Sequence, residues 1–242
     1  MQHGDTVVIG AGRVGRTVAA RLEGSRVYRR AHEAELNGCR RLLLATPDAA
    51  IAEVCAEVAP RLTPECAVIH FSGATSVHAL DTAPGPRACV HPMQTIDPVR
   101  GGDQLEGAYA AVTGDEEAGN RLACELGMTP FALPDEAKPV YHAAAFFGSN
   151  ALVTLTAVAI GLLERCGLER DLALEILHPL QQRTLDAAGD PPTGPIARGD
   201  AATVALQLEA IGPELQPLYR ALARASLPLV PESSRDAVRG LL

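Results

Sequence analysis

The chain has 242 residues, of which 47% are hydrophobic and 21% charged, so it is long enough for one or two globular domains with a sizeable core. A net charge of -8 argues against a nucleic-acid-binding protein, because phosphate contacts require a basic face. With no tryptophan and only 3% aromatic residues, the chain also lacks the usual stacking platforms for bases.

The cysteines are widely spread, and no two of them form a Cys-x-x-Cys pair. They are Cys39, Cys55, Cys66, Cys89, Cys124 and Cys166. Such single cysteines predict buried, small hydrophobic side chains in a reducing cytoplasm, with neither disulfides nor zinc. Residues 1–5 contain no basic stretch followed by an apolar one, so we expect a cytoplasmic rather than a secreted protein.

A glycine pattern follows the first apolar run. Residues 6–9 predict a β-strand, residues 10–15 read Gly-Ala-Gly-Arg-Val-Gly, and residues 16–22 favour a helix. The order strand, G-x-G-x-x-G turn and helix is typical of a dinucleotide site. The alternative is a glycine-rich turn with a structural role only.

Each glycine of this turn has a separate task in such a site. Gly10 permits the tight turn, Gly12 lets the backbone approach a pyrophosphate, and Gly15 allows close packing of the helix on the strand. Arg13 and Val14 begin the helix, whose free N–H groups and positive dipole end favour phosphates.

Residues 25–28 predict the second strand, and Arg29 and Arg30 follow it. An acidic residue near this point would bind the ribose 2′-hydroxyl of NAD. Two guanidinium groups suit a 2′-phosphate instead, which favours NADP as the cofactor. The alternative is a solvated basic pair on the surface.

Strands and helices alternate up to about residue 136. Further strands are predicted at 41–46, 67–71, 87–90, 109–113 and 129–133, and helices at 49–58 and 115–126. This alternation predicts an α/β fold with a doubly wound, mostly parallel sheet. Ligands bind at the carboxyl edge of such sheets, so Thr46, Pro47, Ser72 and Gly73 are expected to line the nicotinamide half of the site. The alternative is that these turns only reverse the chain.

The rest of the chain predicts helices only. Residues 139–163 carry no formal charge and predict one long helix. A membrane span is possible by length, but polar residues near its centre favour a helix buried against a partner subunit.

More helices are predicted at 172–187, 202–211 and 213–225, with a break at 189–195. We therefore expect an NADP-binding domain over residues 1–137 and a helical substrate and dimerisation domain over residues 138–242, and a homodimer formed through the latter.

Three stretches resemble one family. His-Pro-Met-Gln-Thr at 91–95, Tyr-His-Ala-Ala-Ala through Ser-Asn at 141–150, and Thr-Gly-Pro-Ile-Ala-Arg-Gly-Asp at 193–200 are similar to those of Rossmann-like proteins with a DUF2520 domain. The domain order resembles the wider group of 6-phosphogluconate dehydrogenase-like and F420-dependent NADP reductase-like proteins. That group includes ketopantoate reductase, pyrroline-5-carboxylate reductase and prephenate dehydrogenase. The resemblance implies a Rossmann domain followed by an all-helical, 6-phosphogluconate dehydrogenase C-terminal-like domain.

His91 is the first candidate catalytic residue. It follows a predicted strand at the edge where the nicotinamide is expected, and a histidine can exchange a proton at cellular pH. His91 also resembles the histidine of a His-Pro-Met stretch in prephenate dehydrogenases, which contacts the substrate hydroxyl. The alternative is that it caps a turn before Pro92.

The long helix and the later loop supply the other candidates. Helical spacing places Lys138, His142 and Ser149 near one face, with Asn150 beside it. Related reductases bind and protonate substrate with a Lys and an Asn on this helix, but their spacing is absent, so His142 and Asn150 are the expected substitutes. The alternative is a hydrogen-bonded helix contact.

Arg198 is expected to clamp a substrate carboxylate, unless it pairs with Asp200 or caps the next helix.

The sequence thus predicts an NADP-dependent oxidoreductase that transfers a hydride to or from a small polar substrate. A 2-oxo acid of the ketopantoate type or an imine would be oriented by Ser72, Asn150 and Arg198, with His91 or His142 handling the proton. The alternative is a non-catalytic NADP-binding protein that acts as a sensor or assembly element.

Overall fold

The structure is a computed structural model that describes residues 5–97 and 99–242. Residues 1–4, on which the expected absence of a secretion signal partly rests, lie outside this range. The chain forms two compact units, Met1–Leu152 and Val153–Leu242. This division falls after α4 (Lys138–Gly148), later than the boundary predicted near residue 137, because the start of α4 is bonded to the sheet of the first unit.

A seven-stranded sheet forms the centre of the first unit. Its strands are β1 (Thr6–Ile9), β2 (Arg26–Tyr28), β3 (Arg41–Leu44), β4 (Ala67–His70), β5 (Arg87–Pro92), β6 (Tyr109–Gly114) and β7 (Thr129–Ala132). The order is β2-β1-β3-β4-β5-β6-β7, and only the β5–β6 pair is antiparallel. The predicted mostly parallel, doubly wound sheet is therefore confirmed.

Helices cover both faces of the sheet. Alternate strand residues point to opposite sides, so Val8, Leu43 and Ile69 pack with α1 (Arg13–Arg21) and α3 (Glu116–Glu125). Val7, Leu42 and Val68 pack on the other side with α2 (Ile51–Val58). These six side chains are completely buried, and burial of each contributes about 1.5–3 kcal/mol to stability. Two apolar layers therefore fix the strand ends that carry the site.

One strand extends beyond its neighbours. Ile9, Leu44, His70 and Cys89 lie level with one another across four parallel strands. β5 continues past this level because its antiparallel pairing with β6 includes His91 opposite Ala111. His91 therefore lies within β5, and the prediction that the strand ends at Val90 is wrong.

The long uncharged helix is divided in two. α4 ends at Gly148, Ser149 has a non-helical φ of −133°, and α5 (Asn150–Arg165) begins at the next residue. The prediction of one continuous helix over 139–163 is therefore wrong. The stretch Asp135–Arg165 is long and apolar enough to cross a membrane by length and composition, but the core helix of a soluble protein passes the same test.

The second unit contains helices alone. They are α5, which begins in the first unit, α6 (Arg170–Asp186), α7 (Pro195–Arg198), α8 (Ala201–Ile211), α9 (Gln216–Ser226) and α10 (Glu232–Arg239). Val204 and Leu208 of α8 pack with Ala223 of α9 and Val238 of α10. The sequence patterns did not predict α10, which has few apolar residues.

Four of the cysteines, at positions 39, 55, 66 and 89, are buried as predicted. Cys124 and Cys166 are exposed, contrary to the expectation that all six are small core residues. Cys124 lies in the last turn of α3 and Cys166 directly follows α5, where the chain turns at the surface.

Candidate functional site

The glycine turn joins β1 to α1. Gly10 has a φ of +112°, and a Cβ there would overlap the carbonyl oxygen of Ala45. A Cβ on Gly15 would overlap the carbonyl of Gly10, so the helix packs directly on the turn. Open space surrounds the position that a Cβ on Gly12 would take. Two glycines are thus required by close packing, whereas the third leaves the backbone open to a ligand.

The N-terminus of α1 is free to bind an anion. Gly12 is its N-cap and provides no side-chain hydrogen bond to the first turn, while Arg13 is exposed and Val14 half-buried. The turn lies between the ends of β1 and β3, where the connections pass to opposite sides of the sheet. Ligands of open α/β sheets bind at such a switch point. Thr46, two residues after the end of β3, has a buried hydroxyl with no partner among the described residues, and the neighbouring Pro47 is exposed.

Arg29 and Arg30 follow β2, next to the glycine turn. The Gly10 N–H donates to the Tyr28 carbonyl over 2.8 Å, which holds the end of β2 against the turn. Both arginines are exposed, and neither guanidinium forms an ion pair within residues 5–97 and 99–242. Their charge is therefore available to an anionic ligand at the strand end.

A second group of residues lies at the same edge, beyond β4 and β5. We call Gly73, His91, Tyr141 and His142 the imidazole site. His91 Nδ1 lies 2.8 Å from the Tyr141 hydroxyl, with the two rings perpendicular. The position of a Cβ on Gly73 would be 2.7 Å from both His91 Nε2 and His142 Nδ1. Two imidazole nitrogens thus converge above the Gly73 backbone.

Lys138 anchors α4 beneath this site. Its side chain is 2% exposed, and Nζ donates to the Ser72 carbonyl at 3.0 Å and to Cys89 Sγ at 2.9 Å. The Cys89 thiol donates to the same carbonyl at 3.1 Å. Because burial raises the pKa of Cys89, this thiol stays neutral. The ammonium therefore connects the turn after β4, strand β5 and helix α4.

Asp135 balances the buried ammonium. Its carboxylate accepts hydrogen bonds from the Ser76 hydroxyl and the Val77 N–H. Burial opposes ionisation, but these bonds and the charge of Lys138 lower the pKa of Asp135 below its usual value. The carboxylate therefore remains ionised and holds the start of α4 against the turn at 72–77.

The two imidazoles of the site differ in environment. Burial, followed by the charges of His142 and Lys138, lowers the pKa of His91 to about 4. Burial also raises the pKa of Tyr141 to about 12. At neutral pH, His91 is consequently uncharged and Tyr141 carries its proton. The His142 side chain is exposed to solvent.

Ser72 and Ser149 are placed differently from what the sequence suggested. The Ser72 hydroxyl accepts from the Thr75 N–H at 2.9 Å and donates to the Thr75 hydroxyl, so it is used inside its own turn. Its expected role of orienting a substrate stays a prediction. Ser149 lies 3.1 Å from the Thr95 hydroxyl, and Asn150 is the first residue of α5.

Arg198 belongs to the second unit. Arg198 is exposed. It is the last residue of the short helix α7, where the sequence had suggested a loop. Asp200 is the N-cap of α8, where it accepts from the Thr203 N–H at 3.0 Å. Hydrogen bonds from Thr203, assisted by the charge of Arg198, lower the pKa of Asp200. Asp200 therefore caps the next helix, a role that had been considered for Arg198, and the substrate role of Arg198 stays a prediction.

Three residues of this region were missed as parts of the site. Tyr141 adjoins a candidate in sequence, and Lys138 was noted for its spacing, but neither pattern shows which atoms they contact. His70 is fully buried in β4 and accepts the Ser72 N–H at Nδ1, and burial lowers its pKa to about 4. A histidine inside an apolar strand was the one signal that could have revealed it.

Comparison with known proteins supports this fold. Residues 108–226 match the family DUF2520, a domain of unknown function, which confirms the predicted resemblance over this part of the chain. No protein of curated function matches the sequence.

Solved structures match over most of the chain. A candidate NADP oxidoreductase from Bacteroides fragilis is 21% identical, with a TM-score of 0.73 over 91% of this chain and 96% of its own. Pyrroline carboxylate reductase from Plasmodium falciparum, with NADP bound, is 12% identical, with a TM-score of 0.64 over 98% and 99%. A reductive aminase from Aspergillus terreus, in complex with NADPH and ethyl-5-oxohexanoate, is 11% identical, with a TM-score of 0.67 over the full length of both chains. At these identities the likeness establishes the fold.

Proposed function

We propose that this Rossmann-type protein with a DUF2520 domain is an NADP-dependent oxidoreductase that acts on a small polar carbonyl or imine compound. The main support is the shared sheet edge. The open glycine turn follows β1, and His91, near the carboxyl end of β5, lies at the same edge with His142 of α4 beside it. A dinucleotide turn and groups able to handle a proton are the two parts that hydride transfer requires.

The residues at the edge fit NADP. Gly12 and the N-terminus of α1 would hold the pyrophosphate, while the exposed Arg29 and Arg30 would pair with a 2′-phosphate. The unpartnered hydroxyl of Thr46 and the backbone near Gly73 are available toward the nicotinamide half. When bound, NADP supplies a hydride donor or acceptor. The structurally similar NADP and NADPH complexes from Plasmodium and Aspergillus support this choice.

The two imidazoles have separate roles in this proposal. His91 is uncharged at neutral pH, so it donates a hydrogen bond to the reacting group without carrying the transferred proton. His142 is exposed to solvent, from which it can regain a proton after each turnover. His142 therefore acts as the general acid in the direction of reduction. Opposite environments for two neighbouring titratable groups are a common basis for such a division.

The cofactor is tested by titrating the protein with NADPH and NADH while following nicotinamide fluorescence. Replacing Arg29 and Arg30 by alanine together should weaken NADPH binding by about 10²- to 10⁴-fold, because charge-assisted hydrogen bonds contribute about 1.5–3 kcal/mol each. NADH binding should remain unchanged. A matched control replaces Arg220 and Arg239, which lie in the second unit. Equal binding of both nucleotides would contradict the choice of NADP, and no binding of either would reject the oxidoreductase.

Catalysis is tested by NADPH oxidation with a panel of 2-oxo acids, with and without added amine. We expect His142→Asn to lower kcat by about 10²- to 10⁴-fold with unchanged NADPH affinity, because general acid catalysis contributes this much. His78→Asn, at an exposed position elsewhere in the first unit, serves as the control. NADPH binding without turnover on any member of the panel would favour the sensor or assembly role.

We also propose that the protein is a cytoplasmic homodimer. Val140, Phe146 and Phe147 of α4 are 76%, 51% and 70% exposed in the single chain. Apolar surface on one helix is typical of an interface between subunits. Phe147→Asp should reduce the molar mass measured by light scattering to that of a monomer, and an already monomeric wild type would reject the dimer.

A further inference from the structure

We propose that Cys39 and Cys66 form a redox site, at which a hydroperoxide converts two thiols into a disulfide and a dithiol reductant restores them. Both cysteines are free in this structure. They lie at the amino ends of two neighbouring strands, at the edge of the sheet opposite the glycine turn. The redox site is therefore separate from the proposed nucleotide site, and its chemistry does not depend on NADP.

The pairing of two strands brings the thiols together. Cys39 lies two residues before β3 and Cys66 directly before β4, and these strands are parallel neighbours with Arg41 opposite Ala67. The Ala67 N–H donates to the Arg40 carbonyl at 2.9 Å, so the pairing reaches the strand entries. The Cys66 and Cys39 sulfurs are 3.6 Å apart. A disulfide bond is about 2.0 Å long, so the sulfurs need to approach by about 1.6 Å.

The surroundings favour Cys39 as the thiol that attacks the oxidant. Its sulfur accepts a hydrogen bond from the Cys66 thiol, and this bond lowers the pKa of Cys39. Burial opposes the shift, while the backbone N–H groups of Arg41 and Val7 and the charge of Arg26 support it. The contact with Cys39 and burial raise the pKa of Cys66, which therefore keeps its proton. A thiolate is a far better nucleophile than a thiol.

Exposure gives the same order of reaction. Cys39 is 6% exposed and Cys66 is 0% exposed, so hydrogen peroxide, a small molecule, reaches Cys39 first. Cys55 is also buried, but its sulfur accepts from the Thr82 hydroxyl and burial raises its pKa. Cys55 therefore serves as an internal control for a buried thiol whose pKa is not lowered.

The oxidation has two steps. The Cys39 thiolate attacks one oxygen of hydrogen peroxide, the O–O bond breaks, and the leaving hydroxide takes up a proton to form water. Cys39 is then a sulfenic acid. The Cys66 sulfur attacks the Cys39 sulfur, and the Cys66 proton joins the departing hydroxide as a second water. Two thiols and one peroxide thus give one disulfide and two waters, with both sulfurs oxidised and both peroxide oxygens reduced.

The disulfide connects positions that are 27 residues apart in sequence. A covalent link of this span restricts the unfolded chain, so oxidation should stabilise the first unit. In a reducing cytoplasm the pair stays a dithiol, in agreement with the sequence-based expectation of no disulfide. The redox site therefore acts when hydroperoxides accumulate.

Peptide mapping tests the site in the full chain with Cys124→Ser and Cys166→Ser, which remove the two exposed thiols. The protein is treated with hydrogen peroxide at neutral pH, quenched with catalase, alkylated in urea and digested with trypsin. We expect a disulfide between peptides 31–40 and 62–87 that dithiothreitol reverses, while Cys55 is recovered as an alkylated thiol. Absence of this cross-link, or oxidation of Cys55 at the same rate, would overturn the proposal.

The order of attack is tested with dimedone, which labels sulfenic acids. In the same background, Cys66→Ser should stop the reaction after the first step, so dimedone labels Cys39. Cys39→Ser should leave Cys66 unlabelled, because its thiol stays protonated and buried. Labelling of Cys66 without labelling of Cys39 would show that Cys39 is not the attacking thiol.

Thermal unfolding measures the consequence for stability. Oxidation should raise Tm by about 5–10 °C in the protein with both cysteines and leave Tm of Cys39→Ser unchanged. NADPH affinity should be equal in the two redox states, since the redox site lies at the other edge of the sheet. A lower Tm after oxidation would contradict the stabilising role. Absence of NADPH binding in both states would reject the proposed oxidoreductase and leave the redox site intact.

Discussion

The glycine turn and the imidazole site occupy one edge of the same sheet, but they are built in different ways. The turn is a continuous run of six residues, 10–15, whose backbone faces the ligand. The imidazole site joins Gly73, His91 and the pair Tyr141 and His142, which come from three distant segments. The first site depends on the absence of side chains, and the second on the exact placement of rings. We therefore expect the proposed cofactor site and the proposed imidazole site to fail independently.

The largest effect is expected at the turn. Gly10→Ala should lower the free energy of unfolding by about 3 kcal/mol and abolish NADPH binding, because φ is +112° and the Cβ would overlap the Ala45 carbonyl. Gly12→Ala has open space around the added Cβ, so it should keep its stability in urea unfolding and weaken NADPH binding alone. Equal loss of stability in Gly10→Ala and Gly12→Ala would show that the two glycines do not have separate roles in packing and binding.

A smaller and more selective effect is expected at the imidazole site. Gly73→Ala introduces a Cβ only 2.7 Å from both imidazoles, which must move apart. We expect kcat to fall by about 100-fold, a typical cost of a small displacement of catalytic groups, with a smaller loss of NADPH affinity because Gly73 is also proposed to face the nicotinamide half. Gly101→Ala, where nothing lies within 4 Å of the added Cβ, is the matched control. A loss of NADPH affinity as large as the loss of kcat in Gly73→Ala would show that the two sites are not separable.

The pH dependence of stability should also distinguish the region of the imidazole site from the glycine turn. His70 and His91 have pKa values of about 4 in the folded protein, against about 6.5 when unfolded. The unfolded chain thus binds more protons between pH 6.5 and 4. Stability is fully present above pH 6.5 and falls as the pH falls through this window, by at most about 1.4 kcal/mol per pH unit for each histidine.

Urea unfolding at several pH values measures this slope. His91→Asn should reduce the slope by about half, since His70 continues to contribute. His32→Asn, at an exposed position outside the site, should leave it unchanged. If His91→Asn leaves the slope of the free energy of unfolding against pH unchanged, the fold does not hold this imidazole neutral.

The sequence was informative wherever neighbouring residues act together. The glycine turn and every strand of the sheet could be predicted because residues 6–15 form one local unit and apolar runs indicate buried strands. The extension of β5 through His91 could not, because it depends on pairing with β6 about twenty residues later in the chain. The break at Ser149 was missed because the apolar pattern continues across it.

The chemistry of the imidazole site was the least predictable part. His91 and His142 were identified separately, but their convergence on Gly73 depends on how α4 lies against the strand ends. The bond between Tyr141 and His91 spans fifty residues of sequence, and no periodicity indicates it. The hydrogen bonds between Ser72 and Thr75 could not be predicted either, so the sequence suggested a substrate as the partner of the Ser72 hydroxyl.

The buried ammonium of Lys138 also determines how this region can open. It is bonded to the Ser72 carbonyl and Cys89, while Asp135 holds Ser76 and Val77. Helix α4 cannot detach from the strand edge without exposing an unpaired charge, so local fraying of one segment alone is disfavoured. Amide protons of residues 72–77 and 138–142 should therefore exchange with solvent in one cooperative event. The rings of the site would be assembled and lost together, even while the remaining helices fluctuate.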